Sequence, residues 1–148
     1  VELGGVLKNV IAIAAGIVDG LGLGANTKSS LMTRGLREII RFGKAYGANI
    51  ETFYGLSGIG DLITTCSSSK SRNWNVGNMI AKGKTLADIL EELSAVAEGV
   101  RVSRIVNELA LKEGIDMPIT AEVYKVLYEQ KDPKKAIKDL MTRELKPE

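Results

Sequence analysis

The chain has 148 residues, enough for one domain with a buried core, and its 45% apolar and 26% charged residues make an ordinary globular composition. A net charge of +2 argues against a nucleic-acid binder without a concentrated basic face, and the lone Cys66 excludes an internal disulfide or a cysteine-built metal site. There is no histidine, so acid–base work falls to Lys, Asp, Glu or Tyr, and a reducing, cytoplasmic setting fits.

The chain begins at Val1, already inside a helix-like pattern, with no start methionine or signal peptide, which suggests a fragment of a longer protein. Residues 1–24, "VELGGVLKNVIAIAAGIVDGLGLG", are apolar on nearly every side and predict a helix buried all round. The longest apolar run, Val10–Ala15, is far short of the about 18 residues of a membrane span. Lys8 and Asn9 are the polar exceptions and need partners, because an unpaired buried charge costs several kcal/mol. Either Lys8 snorkels to the surface along its apolar stem, or it faces a cleft as a proton donor or anion ligand. A lysine ordinarily carries its proton at neutral pH and can give it to a forming alkoxide.

The next helix is predicted from an N-cap at Asn26 or Thr27 to a stop at Gly47, with Leu31, Met32, Leu36, Ile39, Ile40 and Phe42 on its apolar face. Arg34, Arg37, Arg41 and Lys44 read as a solvated basic side. "NIETFYGL" (49–56) predicts a short helix leading into "GIGDLITTCSSSKSRN" (58–73). There Asp61 follows two glycines and reads as the N-cap of a helix over "LITTC"; "DLITTC" is also the only β-like run in the chain. A carboxylate so near an apparent anion cradle is a puzzle, since it would repel a phosphate.

Ser71-Arg72-Asn73 opens a helix predicted over 72–81. A hydroxyl, a guanidinium fork, an amide and the free N–H groups of a helix start can together hold a phosphate. A plain solvated helix start is the alternative. Cys66 reads as a small packed side chain with no histidine to activate it, and Trp74 as core or interface. After the turn at Lys82-Gly83-Lys84, Thr85 caps "TLADILEEL", with Asp88 three residues on as a weaker capping box. Glu98, in "AVAEGVR", starts a helix over Glu98–Lys112 stopped by Gly114, and its carboxylate suits that helix dipole without further function. Helices at Thr120–Gln130 and Pro133–Met141 follow, the latter with Asp132 as N-cap before Pro133. The whole reads as a single all-α domain, residues 1–148, of about eight helices without internal repeats.

Four stretches, "VELGGVLKNVIAIAAGIVDGLGLGANTKSSLMTRGL", "GLSGIGDLITTCSSSKSRNWNVG", "VAEGVR" and "MPITAEVYKVLYE", together resemble the C-terminal domain of bacterial NAD(P)-dependent glycerol-3-phosphate dehydrogenases. The likeness runs in one order over essentially the whole chain. It implies a 6-phosphogluconate-dehydrogenase-like helical substrate domain whose partner, an N-terminal Rossmann domain with a glycine-rich dinucleotide loop, is absent from this sequence. The implied reaction interconverts dihydroxyacetone phosphate and sn-glycerol 3-phosphate with NAD or NADP, feeding glycerophospholipid synthesis; the fragment alone would be inactive.

Carried over residue by residue, the resemblance makes Lys8 the acid/base residue, with Asn9 beside it in the substrate site. Asp61, here in "GIGD" rather than "GLGD", contacts substrate. Ser71, Arg72 and Asn73 bind its phosphate end, and Arg72, Val96 and Glu98 reach the dinucleotide. Expected partners are the small-molecule substrate and the chain's own Rossmann domain, with a homodimer among the assemblies to consider and neither nucleic acid nor membrane involved. Two other readings remain: the helical domain of a 3-hydroxyacid or ketopantoate-type dehydrogenase, and a non-catalytic helical interaction or dimerisation module.

Overall fold

The computed structural model describes residues 2–49, 51, 56–93, 95 and 97–143. Among them are eight helices and no strand: α1 (Glu2–Gly20), α2 (Ala25–Ala45), α3 (Leu56–Ser67), α4 (Arg72–Ala81), α5 (Leu86–Glu92), α6 (Glu98–Glu113), α7 (Pro118–Tyr128) and α8 (Pro133–Thr142). The all-α expectation holds. None of these helices is long and apolar enough to cross a membrane.

Helix α1 is the axis of the fold and touches α2, α3, α4, α6, α7 and α8. Its residues 10–18 are all buried, as a segment apolar on every side requires when other helices surround it. The approach of α4 is closest, and two glycines make it possible. A Cβ on Gly77 would overlap the Ile13 carbonyl oxygen, and a Cβ on Gly16 would overlap the Trp74 carbonyl oxygen. The two helix backbones therefore lie in direct contact, leaving no room for a methyl group between them.

Local capping signals fix several helix bounds. Ser71 Oγ accepts from the Trp74 N–H at 3.2 Å to open α4, and Thr85 Oγ1 accepts from the Asp88 N–H at 3.2 Å to open α5. An Asp132 carboxylate oxygen accepts from the Lys135 N–H at 3.2 Å to open α8, and Gly114, at φ 67°, closes α6 in the left-handed conformation that glycine adopts freely.

Elsewhere the structure departs from the sequence reading. Helix α2 starts at Ala25 after Gly24, with no side-chain cap from Asn26 or Thr27. The β-like run "DLITTC" is helical, and α3 already begins at Leu56, so Asp61 sits in the helix interior and caps nothing. Leu62 and Cys66, four apart and both buried, set the inner face of α3 and decide its conformation against local β-propensity. Most of the predicted 49–56 helix lies outside the described residues.

The basic side of α2 is only partly a solvated face: Lys44 is exposed, but two of its arginines are held by backbone. Arg41 Nη1 donates to the Asp116 carbonyl at 2.8 Å and Arg34 Nη2 to the Met141 carbonyl at 3.4 Å, so α2 binds backbone at the approach to α7 and the end of α8. Those carbonyls lie outside or at the end of a helical ladder and gain donors from the guanidinium groups.

Helix α7 begins at Pro118 instead of Thr120, and its cap comes from α2. Glu38 Oε1 accepts from the Ile119 N–H at 2.7 Å, while Oε2 accepts from the Thr120 N–H and Thr120 Oγ1, each at 2.8 Å. Glu38 is fully enclosed, and burial pushes its carboxyl up to about 7 against the lowering influence of these donors and of Arg41.

Candidate active site

Lys8 stands on α1 just before the buried stretch, beside buried Leu7. Its Nζ donates to Asp61 Oδ2 at 2.8 Å, across 53 residues of sequence. The Asp61 side chain is 62% exposed and that of Lys8 25%. An ion pair this open to solvent contributes little to stability. Its consequence is geometric: a primary ammonium is anchored through one of its three N–H donors while the others remain free to act.

A second junction lies at the entrances of α4 and α6. Asn73, the second residue of α4, is buried, and its Oδ1 accepts from the Gly99 N–H at 2.8 Å. A Cβ added to Gly99 would lie 2.7 Å from that Oδ1 and 2.7 Å from the Asn9 carbonyl oxygen. Asn9, Asn73 and Gly99, from α1, α4 and α6, thus meet at one point, and Lys8 is the next residue along α1 from it. Ser71 Oγ serves its own helix through Trp74. Arg72 is exposed at the mouth of α4 and has no hydrogen-bond or ion-pair partner among the described residues. Glu98, equally exposed at the mouth of α6, meets Arg101 at 3.4 Å.

The sequence-predicted residues therefore form two adjoining groups, the Lys8–Asp61 pair and the Asn9–Asn73–Gly99 junction flanked by Arg72 and Glu98. No hydrogen bond joins Lys8 or Asp61 to Ser71, Arg72, Asn73 or Glu98; the connection runs along α1 through Asn9. Val96 lies outside the described residues. Asp61 faces the Lys8 ammonium from within α3, while Ser71–Asn73 open a different helix, so the carboxylate and that helix start belong to separate elements.

Grooves also lie elsewhere. One, of about 700 Å³, runs between the α4–α5 turn and the α7–α8 turn, and one of about 340 Å³ is bordered by α6, α7 and α8. Neither is lined by Lys8, Asp61 or residues 71–73. No cluster of His, Cys, Asp and Glu suited to a metal ion occurs among the described residues. Cys66 is buried, and desolvation pushes its thiol up to about 12, which keeps it from acting as a nucleophile.

Sequence reasoning missed two structural carboxylates. Glu38 falls on the apolar stripe of α2 among Leu31, Gly35, Ile39 and Phe42, and a charge in such a stripe was the available signal of a buried partner. Asp19, near the end of α1, accepts through Oδ2 from both Lys28 Nζ at 2.7 Å and Trp74 Nε1 at 2.8 Å. A single acidic residue closing a strongly apolar helix was the corresponding signal there.

The family model described as NAD-dependent glycerol-3-phosphate dehydrogenase C-terminus matches residues 1–138. The chain belongs to that family. Among curated relatives of this dehydrogenase family, the glycerol-3-phosphate dehydrogenase [NAD(P)+] of Solidesulfovibrio magneticus is 54% identical over 148 residues, all of this chain and 45% of the relative. That of Listeria monocytogenes is 56% identical over 147 residues, 99% of this chain and 44% of the relative. The chain thus spans less than half the length of these relatives.

Two solved glycerol-3-phosphate dehydrogenases share the fold. The Coxiella burnetii structure superposes with a TM-score of 0.92 at 40% identity, covering 96% of this chain and 44% of that one. The Saccharomyces cerevisiae structure gives 0.86 at 34% identity, covering 95% and 41%. Membership in this family separates the chain from the helical domains of 3-hydroxyacid and ketopantoate-type dehydrogenases.

Proposed function

We propose that this chain is the substrate-binding and acid–base half of an NAD(P)-dependent glycerol-3-phosphate dehydrogenase, interconverting dihydroxyacetone phosphate and sn-glycerol 3-phosphate. The observation that carries the reading is the Lys8–Asp61 pair, an anchored ammonium next along α1 from the buried Asn9–Asn73–Gly99 junction, in a member of this family. Its partner is a Rossmann domain belonging to the same enzyme, in a cytoplasmic setting.

In this reading Lys8 gives a proton to the oxygen of the substrate's central carbon as negative charge develops on it, and takes the proton back in the reverse direction. Asp61 holds Lys8 Nζ in place through the 2.8 Å bond. Asn73, Arg72 and the free N–H groups at the start of α4 take the phosphate end, where the helix dipole favours an anion. Ser71, already the helix cap, adds its hydroxyl hydrogen. Asn9 borders the same junction.

The donor set also fits a dinucleotide. Arg72 and Glu98 are the immediate neighbours of the bonded pair Asn73 and Gly99, so an exposed guanidinium and an exposed carboxylate open from adjoining helix mouths. A guanidinium suits a pyrophosphate and a carboxylate suits a ribose or amide donor. The bound nicotinamide supplies the hydride.

The test is Lys8→Ala in the complete enzyme. Turnover is expected to fall about 10²–10⁴-fold, the usual share of a positioned general acid. Near-normal turnover would remove Lys8 from the acid–base role and, with it, this reading of the site.

A further inference from the structure

Asn73 is 8% exposed, and its side-chain amide has two unlike ends. The acceptor end is committed, since Oδ1 takes the Gly99 N–H at 2.8 Å in a buried bond. The donor end is not: neither hydrogen on Nδ2 meets an acceptor among the described residues. The Gly99 N–H decides which end is which. Turning the amide over would set an NH2 group against a backbone N–H, donor against donor, with both left unmet.

Gly99 is the second residue of α6, where the backbone N–H has no partner within the helix. Asn73 therefore satisfies a helix-end donor and is oriented by it in the same bond. The glycine itself is required for this closeness. A Cβ at position 99 would stand 2.7 Å from Asn73 Oδ1, 2.7 Å from the Asn9 carbonyl oxygen and 2.9 Å from Ile13 Cδ1. Two of these are polar atoms of the junction described above, and one of them is main chain that cannot rotate aside.

We infer that Gly99 is a positioning residue of the substrate site: its N–H locks the Asn73 amide with Nδ2 as the free face, so the site selects substrates bearing an oxyanion over neutral analogues. The inference rests on the substrate reading proposed above. An amide held this way offers only donors, which suits phosphate oxygens and gives nothing to an uncharged hydroxyl beyond what water offers. Charge selection then depends on the backbone of α6 as well as on Arg72.

The experiment compares Gly99→Ala and Asn73→Asp with the wild type, all as complete enzymes. It measures kcat/KM for dihydroxyacetone phosphate and for unphosphorylated dihydroxyacetone, together with the melting temperature. Asn73→Asp keeps an oxygen for the Gly99 N–H and replaces the free donors by an anion, so preference for the phosphorylated substrate should fall at least about tenfold. Gly99→Ala should lose that preference by a similar factor, chiefly through KM for the phosphorylated substrate.

Loss of preference in Asn73→Asp but not in Gly99→Ala overturns the positioning role and leaves the substrate reading standing. Full preference in both variants overturns the substrate reading as well. Should Gly99→Ala fail to fold, a scalar coupling across the hydrogen bond between the Gly99 nitrogen and the Asn73 side-chain carbonyl carbon is sought in labelled wild-type enzyme. Its detection supports the lock, and its absence, with both resonances assigned, overturns it.

Discussion

Lys8 Nζ and Asp61 Oδ2 lie 2.8 Å apart and join α1 to α3 across 53 residues of chain. Neither helix needs the pair for stability, because the apolar faces of α1 and α3 already bury Leu7, Leu62 and Cys66. The pair orients the Lys8 ammonium at the edge of the core.

That geometry makes Asp61→Asn informative in the complete enzyme. An asparagine oxygen can still accept from Lys8, but the ionic attraction that anchors its Nζ is gone. Turnover should fall about tenfold, less than in Lys8→Ala. Unaltered turnover would separate Asp61 from Lys8 functionally.

The contact between α1 and α4 predicts an intolerant glycine. In Gly77→Ala the added methyl group meets the main-chain carbonyl of Ile13, which cannot rotate away. Destabilisation of about 3 kcal/mol or more is expected in urea unfolding. Gly5→Ala, where nothing stands within 4 Å, serves as the control and should be neutral or slightly stabilising. Equal stability of the two variants would contradict the close approach.

Glu38 gives stability a distinct pH dependence. Burial raises its carboxyl from 4.5 to about 7, so the folded protein holds the proton more tightly than the unfolded chain does. The contribution is fully present below pH 4.5 and is lost as pH rises to about 7, where the folded form also ionises. The stability difference between wild type and Glu38→Gln, followed across that window, should fall by roughly 3 kcal/mol and then level off. A difference that grows with pH would show that the donors of Ile119 and Thr120 outweigh desolvation.

Asp19 is the shared acceptor of Lys28 and Trp74, the latter being the only tryptophan in the chain. Replacing Asp19 by Ala leaves an indole N–H and a largely buried ammonium unmet, at a cost of about 1–3 kcal/mol. Because Trp74 is a built-in probe, its fluorescence should shift with the substitution in the folded state. Unchanged emission and unchanged stability would remove this bond from the account of how α4 is held.

Much of this molecule is legible from local pattern. Helix α4 starts after Ser71 and α5 after Thr85 because a side-chain oxygen three residues upstream meets a helix-end N–H, and that geometry is encoded in adjacent residues. Gly114 and the Asp132–Pro133 pair stop and start helices for equally local reasons. The all-round apolarity of residues 10–18 likewise foretells a central helix, since such a segment has no solvent side to offer.

Tertiary structure decided where the non-local partners are. "DLITTC" became helix because Leu62 and Cys66 found one buried face, and Asp61 moved from a supposed cap to the ammonium of α1. Arg34 and Arg41 left solvent for backbone carbonyls, and α7 took its cap from Glu38, about 80 residues earlier. The residue types needed for the chemistry could be read in order along the chain. Their meeting could not, because a hydrogen bond between distant residues depends on how the helices between them pack, and helical periodicity specifies each helix's inner face without naming what it will face.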